Sequence, residues 1–117
     1  MLRAICDIFE HCTIKHVNLS YNALGNRGLD ACRSVLGQQW NNLEVVKFVD
    51  NGLAAKSMAL LEDWLAGSEH LTTLIFENQM ARSEGDTHFA RIVASCPSLI
   101  TIKSPKLVLD VIELVLF

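Results

Sequence analysis

Four residues near the start of the chain carry the side chains best suited to chemistry: Cys6, His11, Cys12 and His16. Thiolates and imidazoles are common zinc ligands, but a compact finger needs two such pairs at short, matched spacings. No second Cys or His pair follows at a usable distance. As a Cys–His nucleophile the group is no better, because no carboxylate can be assigned to orient either partner. Cys32 falls on a helix-core position and Cys96 lies just ahead of a repeating apolar pattern, so both are expected to behave as small hydrophobes. Gly25-Asn-Arg-Gly28 reads as a turn, not as a loop that cradles phosphate. These residues lead us to expect no catalytic centre, no metal and no cofactor.

The chain must therefore act through its shape. At 117 residues it has room for one domain, 1–117. Half of it is apolar and a fifth charged, which excludes the disordered and fibrous classes. A net charge of −3 argues against a nucleic-acid partner, which would call for a basic stripe. No run of 18 apolar residues is present, so no membrane span is expected. Asp7 and Glu10 interrupt the first apolar stretch, which does not fit a secretory signal. Four cysteines without framework spacing favour a reducing, cytoplasmic setting.

The organising feature is a repeat. Ile14-Lys-His-Val17-Asn-Leu19-Ser-Tyr-Asn22-Ala-Leu24 is followed by Leu43-Glu-Val-Val46-Lys-Phe48-Val-Asp-Asn51-Gly-Leu53. A third copy starts at Leu71 and a fourth at Leu99, giving steps of 29, 28 and 28 residues. Each copy predicts a short strand, a turn held by Asn and a helix. Before them, residues 1–13 hold a helix over about residues 1–11, in the place of a repeat's second half. The repeats run 14–42, 43–70 and 71–98, and 99–117 holds a truncated copy with a helix that caps the end or meets another chain. Helices are predicted over about residues 28–37 (buried Leu29, Cys32, Val35 and Leu36) and 55–66 (buried Met58, Leu61 and Leu65). In the third copy Gln79 replaces the turn Asn and Ala81 replaces Leu. Gln is one methylene longer, so a looser turn is expected over about residues 77–86.

The pattern LxxLxLxxNxLxxxG at this period resembles the ribonuclease-inhibitor-like class of leucine-rich repeats across about residues 14–103. The resemblance implies an α/β fold: a right-handed horseshoe segment with a parallel sheet on the concave face and helices on the convex face. It also implies an intracellular protein that binds another protein on the concave face. Carried onto this chain, the concave columns are His16, Val45, Thr73 and Thr101; Asn18, Lys47, Ile75 and Lys103; and Ser20, Val49 and Glu77. Tyr21 and Asp50 lie at the strand exits. Val45, Val49 and Ile75 would form an apolar centre within a charged rim, as protein interfaces commonly do, although β-branched residues also favour strands wherever they point. Two other readings stand beside this one. The solenoid ends and the apolar C-terminal tail could serve self-association in a scaffold or homo-oligomer. By family analogy, with Arg27 as the residue of interest, the chain could regulate a GTPase or an immune or cytoskeletal assembly.

Overall fold

A computed structural model of the protein describes residues 1–80 and 83–103. The expectations for Ala81, Arg82 and the C-terminal helix lie outside the described residues. The fold is α/β. Its elements are α1 (Leu2–Asp7), β1 (His16–Asn18), α2 (Gly25–Ala31), a 3-10 turn (Gly37–Gln39), β2 (Val45–Val49), α3 (Ala55–Leu65), β3 (Thr73–Glu77), α4 (Ser83–Ser95) and β4 (Thr101–Lys103).

The strands form one four-stranded sheet in chain order, every neighbouring pair parallel. Val17, Val46, Leu74 and Ile102 lie side by side across it, as do His16, Val45, Thr73 and Thr101. Those partners are separated by the 29, 28 and 28 residues of the sequence repeat, so the period in the chain is the register of the sheet. Alternation does the rest. Val46, Phe48, Leu74 and Phe76 point into the core, while Val45, Lys47, Val49, Thr73, Ile75 and Glu77 stay half-buried on the opposite face.

The core is a ladder of Leu29, Leu36, Leu43, Leu53, Leu61, Leu65 and Leu71, all fully buried, with Phe48, Phe76 and Phe89 stacked through it. Phe48 lies face to face with Phe76 at 5.1 Å between centroids, and Phe76 meets Phe89 edge-on at 5.3 Å. Helix α3 falls where the apolar period places it, and Trp64 is buried beside Met58, Leu61 and Leu65.

Two helices differ from expectation. Helix α2 begins earlier, at Gly25, and ends at Ala31, giving way to turns and the 3-10 segment. Leu29, Cys32, Val35 and Leu36 are nevertheless all buried. The backbone here answers to a neighbour 27 residues away: a Cβ on Gly37 would sit 2.9 Å from the Trp64 ring, so the chain passes beneath the indole only as glycine. Helix α1 is also short. Cys6 is buried and Leu2 packs on the core, but Ile5, Ile8 and Phe9 are exposed. A single turn and a half depends on tertiary contacts to persist. Arg3 on α1 bonds Asp30 on α2 at 3.0 Å, and the Ser34 hydroxyl donates to the Asp7 carboxylate.

Buried amides tie one unit to the next. Asn51 Nδ2 donates to the carbonyls of Leu19 and Asn22 in the preceding unit. Gln79 does more than this, and its longer amide, expected to miss these backbone groups, reaches them. Its Oε1 accepts from the amides of Asn51 (3.2 Å) and Leu53 (3.1 Å), and its Nε2 donates to the carbonyls of Phe48 (3.1 Å) and Glu77 (3.0 Å). The extra methylene lets both ends of the amide find partners, whereas Asn51 Oδ1 is buried without one. Gln39, which the repeat pattern does not single out, plays a similar part. It accepts from the Ile14 amide at 3.1 Å and donates to the Cys12 carbonyl at 2.7 Å.

Candidate functional site

Strand pairing assembles the surface that the repeat pattern picks out. His16, Val45, Thr73 and Thr101 form its first row, and Asn18, Lys47, Ile75 and Lys103 its second. Val49 pairs with Glu77 in the third row. Ser20 lies past the end of β1 but joins that row, because its hydroxyl accepts the Val49 amide at 3.1 Å. The Tyr21 amide donates to the Val49 carbonyl at 2.6 Å.

The residue leaving each of the first three strands has a left-handed backbone: Tyr21 (φ 65°), Asp50 (φ 54°) and Asn78 (φ 52°). The turn amides Asn22, Asn51 and Gln79 each follow one residue later, so the tight bend sits one position before the residues expected to make it. Asn and Asp tolerate this region through their short polar side chains, but a tyrosine is strained there. Tyr21 is also 74% exposed. A strained, exposed aromatic beside the sheet face is the least economical residue for a purely structural bend.

Most charges around this face are matched. Lys103 Nζ lies 2.7 Å from Glu77, which raises the lysine's pKa by hydrogen bonding and then by charge. At the strand entries Glu44 faces Lys15 at 3.8 Å and His16 at 4.0 Å. Asn78 Nδ2 donates to the Asp50 carboxylate. Among the described residues Lys47 makes no ion pair. Its neighbours in register are Asn18 and Ile75, and Val45 and Val49 precede and follow it on the same face.

The N-terminal thiol and imidazole residues do not converge. Cys6 is buried, while His11, Cys12 and His16 are exposed, and among the described residues no three His, Cys, Asp or Glu side chains gather as metal ligands. Cys6 instead faces Cys32, whose thiol is pushed up to about 12 by burial and then by Cys6. Burial raises the Cys96 thiol as well. Burial thus disfavours the thiolate at both Cys32 and Cys96.

A concavity, which the sequence does not announce, runs along the helical side. It encloses about 820 Å³ and is lined by Arg3, Arg27, Lys56, Glu62, His88 and Arg91 among others. His88 Nδ1 donates to Glu62 at 2.8 Å, and Arg91 lies 3.6 Å from the same oxygen. The His88 hydrogen bond is the main reason that the Glu62 carboxyl lies below its usual range, with Arg91 adding to it. A carboxylate with a depressed folded-state pKa contributes stability above its unfolded value, and that stability is lost as pH falls through the folded one. The melting-temperature gap between wild type and Glu62→Gln is therefore expected to be widest near neutral pH and to narrow as pH falls below the ordinary glutamate range. An unchanging gap in a pH series of thermal melts would exclude the linkage.

No family model matches the chain, and no curated protein matches it.

Proposed function

We propose that the protein is a leucine-rich-repeat segment of the ribonuclease-inhibitor-like kind, and a non-catalytic module that holds a protein partner on the open face of its sheet. The repeat reading draws support from three things: a register equal to the sequence period, strands laid down in chain order, and turn amides that bond from unit to unit. On that reading the sheet lines the hollow of a horseshoe and the helices lie outside. The observation that carries the binding role is the row structure of the face, where Val45, Val49 and Ile75 stay half-buried amid Lys47, Asp50 and Glu77. Apolar area bordered by charge is how interface centres and rims are composed. His16, Asn18, Ser20, Tyr21, Thr73 and Lys103 complete the proposed contact surface. A reducing cytoplasm is the proposed compartment, in keeping with buried unpaired Cys6, Cys32 and Cys96. Among the described residues no helix is long and apolar enough to cross a membrane.

The test compares Ile75→Glu with Lys56→Glu, a substitution on the helical side. Ile75 stands between Lys47 and Lys103 in register, so a carboxylate there gains opposite-charge neighbours and should leave the melt nearly unchanged. Proteins captured from cell extract and identified by mass spectrometry should be retained by wild type and Lys56→Glu and lost by Ile75→Glu. Capture that is indifferent to Ile75→Glu would refute the assignment of the face.

A second reading, end-to-end self-association, is favoured by a different observation. Among the described residues strands β1 and β4 pair on one side only, and Ile5, Ile8 and Phe9, ahead of the first, and Ile100, beside the last, are exposed. Regulation of a GTPase or of an immune or cytoskeletal assembly rests on family analogy alone, with Arg27 lining the helical-side concavity instead of the sheet face.

A further inference from the structure

Lys47 is the anomaly of the sheet face. It occupies the middle strand position of β2, is half-buried, and has Val45, Val49, Ile75 and Asn18 as its nearest same-face neighbours by register. Lys103, by contrast, is paired with Glu77 at 2.7 Å, and Glu44 faces Lys15 at 3.8 Å. Asp50 is hydrogen-bonded by Asn78. A partner laid across Val45, Val49 and Ile75 covers the Lys47 side chain between them and takes water from its ammonium. An ammonium desolvated without a counter-charge is costly, so a productive partner must bring an anion to that point.

We infer that the partner segment carries a single carboxylate side chain, flanked by apolar residues, that seats on Lys47 while its neighbours cover Val45, Val49 and Ile75. A phosphoryl group fits less well. It would bring about two negative charges beside Glu77 and Asp50, of which one lysine can offset only one. The inference rests on the proposed protein-binding role of this face. It adds what the partner's chemistry must be.

A phage-displayed library of random peptides, panned on the immobilised full chain, tests it. Wild type is expected to enrich peptides with one Asp or Glu next to Leu, Ile, Val or Phe. Lys47→Glu should shift the enriched charge from acidic to basic. A synthetic peptide from the wild-type pool should bind Lys47→Glu roughly tenfold or more weakly, as truncated interface charge pairs commonly do. Val49→Gln, a neutral change, should also weaken it. If peptides depend on Val49 but show no acidic preference and bind Lys47→Glu equally well, the carboxylate is refuted while the binding face stands. Peptides indifferent to Val49→Gln, or no enrichment on any variant, would overturn both. Circular dichroism of each variant must match wild type, and Lys47→Met provides a neutral arm should the charge reversal unfold the sheet.

Discussion

Replacing Phe76 by alanine is expected to destabilise the protein by about 3–5 kcal/mol. The ring is 3% exposed and is the hinge of the aromatic stack, face to face with Phe48 and edge-on to Phe89. Its removal forfeits two ring contacts as well as the buried area, and the surrounding leucines are fixed by neighbouring units and cannot close the gap. Domain stabilities are typically about 5–15 kcal/mol, so a loss of this size is a large fraction of the folding free energy. Urea titration followed by circular dichroism reads it as a lower midpoint at unchanged slope. A loss below about 1 kcal/mol would mean that the stack is peripheral to the core.

Gln79→Ala is the second large effect, expected at about 2–4 kcal/mol although it removes no apolar packing. The change strands the amides of Asn51 and Leu53, both of which belong to fully buried residues, and takes the donor away from the Phe48 carbonyl. Unpaired buried donors cost more than the net worth of the bonds that satisfied them. Gln79→Asn provides the informative comparison. It restores the residue that Asn51 represents one unit earlier, so it should regain part of the loss through its Nδ2 donor. It should not regain all of it, because the shorter amide leaves its oxygen short of the two amides, as Asn51 Oδ1 is left. The same urea titration separates the three proteins. Asparagine matching glutamine would show that the extra reach contributes nothing.

How far the sequence foretold this arrangement depends on the distance over which each cause acts. Register was legible because apolar residues repeat at 29, 28 and 28 positions, and strands stacked in order must pair at that offset. The rows of the sheet face followed from the same arithmetic, and Lys47 takes its place between Asn18 and Ile75. The end of α2 was not legible. Burial of Leu29, Cys32, Val35 and Leu36 was correctly expected, but the backbone carrying them is shaped by Trp64 pressing on Gly37 from the next unit. No local window contains that contact. Gln79 was misjudged for a different reason: comparison with Asn22 and Asn51 measured it against a shorter amide, and the structure gives the longer one more partners. The helical-side concavity was invisible because Glu62 and His88 stand 26 residues apart, with neither in a motif.

The left-handed bend at Tyr21 has one more consequence. Long exposed side chains usually surrender rotational freedom when another molecule settles on them, and that lost entropy opposes association. At Tyr21 the main chain, pinned by its amide to the Val49 carbonyl, has already fixed the direction in which the phenol leaves the backbone. On the proposed binding role, the direction of the Cα–Cβ bond is settled during folding, and only the side chain's own rotamers are left to be ordered on contact.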